Sequence, residues 1–172
     1  MKRALAYALL ILGVFLVQNN VFAASPLVIT VPNLLLILVF SFGFMRGSFE
    51  GMLIGFVCGL LTDLFFGSTI GLSALIFAVL GYGIGLLGRT YYTEYVSLPL
   101  LLCLLSDLVY LLGVYVFAIL LAGGRGFIPY LTKIVLPEML YTGLMAILLY
   151  PLFRQVEKGI SRWETKRTQN YV

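Results

Sequence analysis

Three carboxylic acids stand inside apolar runs of this sequence: Asp63, Asp107 and Glu138. An ionisable group in such a setting is costly and is a functional candidate by default, as part of a proton relay or a site for a solute or lipid headgroup. Asp63 also closes a pattern. Gly51, Gly55, Gly59 and Asp63 recur every four residues, so they share one face of a helix. Glycines at that spacing let a second backbone approach closely, and the carboxylate at the end of the row reaches the polar groups of whatever packs there. Gly67 and Gly71 then make a tight turn, and Gly81 and Gly85 repeat the spacing, which predicts an antiparallel pair of glycine-faced helices.

Other chemistry is missing. The sequence has no His, which removes the commonest general acid/base and metal ligand at neutral pH. It contains no phosphate-binding Gly-rich loop with its Lys, no zinc-protease motif and no Ser nucleophile elbow. The glycines of Gly81-Tyr82-Gly83-Ile84-Gly85 fall inside an apolar run and cannot form a dinucleotide loop. Cys58 and Cys103 each stand alone in apolar surroundings and read as small packing residues. We therefore expect no enzyme activity, no catalytic residue, no cofactor and no metal site.

The elements that carry these residues follow from composition. Of 172 residues, 62% are apolar or aromatic and 10% are charged, against about 25% charged in an ordinary soluble domain. One globule of this size cannot hide that much apolar surface, so the chain is an integral membrane protein of helices. Six apolar runs occur: Ala4 to Val17, Leu34 to Met45, Gly51 to Phe66, Ile70 to Gly88, Val96 to Ala122 and Ile134 to Phe153. Crossing the hydrocarbon core takes about 20 residues of helix, and the short second and third runs need their flanks to do so. The expected organisation is a single six-helix transmembrane domain over residues 1–153 and a basic amphipathic tail over residues 154–172.

Charge then sets orientation. With six spans, one side of the membrane receives Lys2, Arg3, Arg46, Arg89, Arg154, Lys158, Arg162, Lys166 and Arg167, and the other only Arg125 and Lys133. Nine basic residues against two place both termini in the cytoplasm, so the net charge of +4 speaks of topology and not of nucleic acid. Lys2-Arg3, the apolar stretch and Val21-Phe22-Ala23 also fit a cleaved signal peptide. Against that reading stand the length of the stretch and the polar Gln18-Asn19-Asn20.

In this topology Asp63 and Glu138 share the outer half of the membrane with Gln18, Asn19 and Asn33, an outer polar cluster. It reads either as a binding site or relay, or as interhelical hydrogen bonding in which carboxyls cap backbone groups. Asp107 lies deeper, near mid-membrane, without a basic partner at its level. The uncharged segment between Gln18 and Asn33 lies on the membrane surface as a lid or extends the first two spans. Arg46 and Glu50 bracket the short cytoplasmic turn at salt-bridge spacing, pinning the turn or marking a docking point. In the tail, Val156, Ile160 and Trp163 fall at helical spacing among basic residues, a pattern suited to the anionic inner surface or simply to orientation.

Pro32-Asn33-Leu34-Leu35-Leu36, Arg46-Gly47, Glu50-Gly51, Gly55, the run Gly59 to Gly67 and Gly71-Leu72 together resemble the rod shape-determining protein MreD family. The length, six-span layout and basic tail fit as well, so the resemblance covers essentially the whole chain, with its specific part in residues 32 to 72. It implies a bacterial inner-membrane component of the elongation machinery, associated with MreC, MreB, RodA and a penicillin-binding transpeptidase. It also implies a fold similar to the substrate-binding components of energy-coupling-factor transporters, whose solute site lies in the outer half. Three readings stand: a non-enzymatic scaffold for MreC and its partners, with the glycine face as a contact surface; a solute-binding transporter component; and a binder of lipid, such as a cell-wall precursor, at the outer cluster.

Overall fold

The computed structural model describes residues 2–22, 31–66, 70–90, 97–120 and 126–169. These are helical apart from short turns, with no strand among them. Helix α1 spans Lys2–Val17 and ends in a π-turn, Gln18–Phe22. Then follow α2 (Leu34–Arg46), α3 (Ser48–Phe66), α4 (Leu72–Thr90) and α5 (Ser97–Val114), the last prolonged by a π-turn over Tyr115–Leu120. The short α6 (Phe127–Tyr130) passes through Leu131–Val135 into α7 (Leu136–Gln169). Three stretches are long and apolar enough to cross a membrane: Ser48–Phe66, Pro99–Phe117 and Phe127–Gly159. The other apolar helices, Leu5–Asn20, Leu34–Arg46 and Leu72–Gly88, are shorter.

Helix α2 is the axis of the bundle. Every residue from Leu34 to Phe44 is buried, as expected of a helix that is apolar all round and enclosed by protein. Tyr7 of α1 meets Phe42 edge-on at 5.3 Å, and Phe15 meets Phe65 of α3 at 4.9 Å. On the α7 side, Phe40 faces Tyr150 at 6.2 Å and Phe42 faces Phe153 at 6.3 Å. Both pairs advance together along the chain, so α2 and α7 run parallel. The outward faces of α5 and α7 present Leu101, Leu105, Val109, Leu140, Leu144 and Leu148, apolar surface suited to lipid or to another membrane helix.

The glycine rows meet each other. A Cβ on Gly55 would collide with the carbonyl of Phe77, one on Gly59 with the backbone of Ser73 and Ala74, and one on Gly51 with the carbonyl of Gly81. Further along, Gly85 lies against Gly47 and Ser48, and Gly88 against Phe44. Helices α3 and α4 are thus in backbone contact over their length, and Gly43 brings α2 to the same seam beside Gly51 and Gly81. The row is taken up inside the chain, against α4 and α2. Gly67 lies outside the described residues. Gly71 serves the turn itself, with φ +101°, a conformation other residues rarely adopt.

One expectation about an element end also changes. The last membrane helix begins at Phe127 instead of near Ile134, in one continuous stretch with α6. At its other end α7 runs on through residue 153 to Gln169. The segment between residues 23 and 30, expected as a lid or an extension, lies outside the described residues.

Candidate functional site

The polar residues of the bundle sort into three places. The first is the turn from α3 to α4. Asp63, 2% exposed, accepts the backbone N–H of Gly71 at 2.8 Å and of Ala74 at 3.1 Å on Oδ2, and that of Ser73 at 3.0 Å on Oδ1. The first N–H groups of a helix have no partner within it, and a carboxylate there is favoured by the helix dipole. Asp63 therefore supplies the N-terminal cap of α4 from the last turn of the preceding helix. Its hydrogen bonds all go to this cap, and none joins it to Gln18, Asn19 or Asn33 among the described residues.

The second place is the buried start of α2. Asn33 caps the helix through Oδ1, which accepts the N–H of Leu36 at 3.2 Å. Gln18, arriving from the end of α1, accepts the N–H of Leu35 with Oε1 at 3.1 Å. The Asn33 N–H in turn donates to Thr142 Oγ1 of α7 at 3.1 Å. Backbone outside a helix is tolerated at membrane depth only where protein or a cavity covers it, and here Pro32, Asn33 and Thr142 are all buried. Asn19 sits in the π-turn with its amide nitrogen buried and no hydrogen-bond partner among the described residues.

Asp107 of α5 completes this second place. It is fully buried, with Thr142 and Asn33 as the polar side chains against it. Glu138, one turn before Thr142 on α7, feels the charge of Asp107. So the structure brings Asn33, Asp107, Glu138 and Thr142 together, with Gln18 on the adjoining turn. Thr142 was missed by the sequence reading, although its four-residue spacing from Glu138 puts both on one face. One helical turn further along α2, α5 and α7, Ile37, Cys103 and Ala146 border a void of about 10 Å³, room for roughly one water. Cys103 and Cys58 are buried free thiols, and among the described residues no group of three His, Cys, Asp or Glu side chains is placed to hold a metal.

The third place is the opposite end of α2. Arg46 closes the helix, where a positive charge suits the dipole. Its Nε lies 4.0 Å from Glu50 Oε2, the pairing read from the sequence, and 2.6 Å from Glu157 Oε1 of α7. Glu157, which nothing in the local spacing announces, is the closer partner. The central helix is thus tied to α7 at both ends, by Asn33 to Thr142 and by Arg46 to Glu157.

This arrangement can fasten helices inside a bilayer. Comparison with known proteins agrees with a membrane component of defined family: the family model described as rod shape-determining protein MreD matches residues 1–158. No curated protein sequence and no solved structure matches the chain.

Proposed function

The chain belongs to the rod shape-determining protein MreD family, and we propose on that premise that it is a non-enzymatic scaffold of the bacterial elongation machinery. Membership itself implies a role in rod-shape determination. The proposal adds how: the bundle sits in the inner membrane with both termini cytoplasmic and offers its outward helix faces to MreC. Through MreC it organises peptidoglycan synthesis by RodA and a penicillin-binding transpeptidase along MreB.

The match over residues 1–158 is the observation that carries this reading. The geometry supports it in a second way. Asp63, Gln18, Asn33 and Arg46 are spent on capping and fastening, which suits a rigid platform. The alternative of a solute-binding component of an energy-coupling-factor type transporter draws on the polar centre beneath α2 and on the apolar cavity of about 350 Å³ that Val14, Leu34 and Phe153 line between α1, α2 and α7.

A photo-crosslinking amino acid placed at Leu105 or Leu144, both exposed, tests the scaffold in membranes that contain MreC. The proposal expects adducts with MreC at one or both positions and none at Phe77, which is fully buried. Tight small-molecule retention without any MreC adduct at these outward faces favours the transporter reading instead.

A further inference from the structure

Asp107 differs from Asp63, Glu50 and Glu157. Asp63 accepts three backbone N–H groups, and Glu50 and Glu157 face Arg46. Asp107 is 0% exposed, and its oxygens make no hydrogen bond of ordinary geometry, with the Thr142 and Asn33 side chains as the polar groups beside them. The groups that act on it or feel it are Cys103 and Tyr110 on α5, Tyr130 on α6, Glu138 and Thr142 on α7, and Asn33 at the head of α2. No Lys or Arg is among them. A bare carboxylate in that position is strongly disfavoured, and a second carboxylate nearby makes it worse.

We propose that Asp107 is the core of an intramembrane site for one small monovalent cation, a proton or a sodium ion, with Thr142 and Asn33 beside it and Glu138 within electrostatic reach. The inference is independent of the scaffold reading. Charge count favours a single positive charge, since no third acidic, His or Cys ligand is available among the described residues for a metal ion of higher charge. The ligand chemistry is hard oxygen, which excludes a preference for soft metals. Thr142 Oγ1 and Asn33 Oδ1 each already accept one backbone N–H, and each keeps a second lone pair.

In the proton case one O–H bond forms on a carboxyl oxygen of Asp107, and that O–H donates to the free lone pair of Thr142 or Asn33; no other bond breaks. In the sodium case the same oxygens coordinate the ion. Either way the cation joins α5 to α7 and to the first turn of α2, where α2 begins inside the bundle. Glu138, coupled to Asp107, adds to the attraction for a cation in the state in which it is ionised.

Thermal unfolding of the full chain in lipid nanodiscs tests this, run from mildly acidic to mildly alkaline pH in sodium chloride and again in choline chloride at equal ionic strength. The wild type is expected to lose stability as pH rises in choline chloride, because the cation that neutralises Asp107 is withdrawn. Linkage sets the scale at about 1.4 kcal/mol for each tenfold change in a cation above its dissociation constant. Recovery of stability by sodium at alkaline pH identifies a sodium site; no recovery, together with an infrared carboxylic-acid band missing in Asp107→Asn, identifies a proton site. Asp107→Asn, neutral throughout, is expected to be flat in both salts. A wild type as flat as the variant, or a variant that responds like the wild type, overturns the proposal. Should Asp107→Asn fail to fold, Glu138→Gln decides: the response persists with its midpoint moved towards higher cation concentration, and an unmoved midpoint overturns the site.

Discussion

Asp63 holds the backbone N–H of Ser73 at 3.0 Å across the turn between α3 and α4, so a side chain on one helix finishes the first turn of the next. The same carboxylate takes the N–H groups of Gly71 and Ala74. Asp63→Ala leaves three donors without their acceptor and is expected to cost about 2–3 kcal/mol. Asp63→Asn, which keeps one oxygen, is milder. Thermal unfolding in a mild detergent ranks the two, and an alanine variant as stable as wild type removes the capping role.

The seam beside this cap predicts a contrast among glycines. Gly55→Ala and Gly59→Ala push a methyl into the backbone of α4 and are expected to destabilise by about 2–3 kcal/mol. Gly83→Ala on α4 and Gly13→Ala on α1 find nothing within 4 Å of the new Cβ, so the better helix propensity of alanine leaves stability unchanged or raised by up to about 1 kcal/mol. Equal effects at Gly55 and Gly83 contradict the packing described.

Much of this seam is legible in the sequence, because a four-residue spacing alone sets a helix face. The cap of α4 is not. Capping patterns are sought at the helix's own first residues, whereas Asp63 comes from the helix before, eight to eleven residues upstream of the groups it holds. Nor does hydropathy separate α2, enclosed on all sides, from α5, which shows Leu101 and Leu105 to its surroundings. Lipid tails and protein interior are equally apolar, so both helices read alike. The tie from Arg46 to Glu157 is hidden for a different reason, since the residues are far apart in sequence and Glu50 offers a local partner at helical spacing.

At the Arg46 end, the side chains of Arg46 and Glu157 are only 12% and 14% exposed. Removing one charge strands the other in a shielded place, so Arg46→Gln is expected to cost about 2–3 kcal/mol. The loss concentrates where α7 leaves the bundle: amide hydrogen exchange at residues 154–159 should speed up while α3 and α4 stay protected. Unchanged exchange there contradicts the fastening.

At the other end, Thr142→Val removes the acceptor of the buried Asn33 N–H and is expected to cost about 1–3 kcal/mol. Thr142→Ser keeps the hydroxyl and restores most of the stability. A valine variant that unfolds at the wild-type temperature argues that α2 does not depend on this bond.

Cell width in a rod-shaped bacterium depleted of its own MreD-family protein measures the shape-determining role most directly. Expression of this chain is expected to restore rods, and so is expression of the Gly83→Ala variant. The Gly55→Leu variant, with α3 driven off α4, is expected to leave cells round while its membrane level is matched to wild type by expression. Round cells with the unaltered chain, or rods with matched Gly55→Leu, contradict a shape-determining scaffold built on this seam.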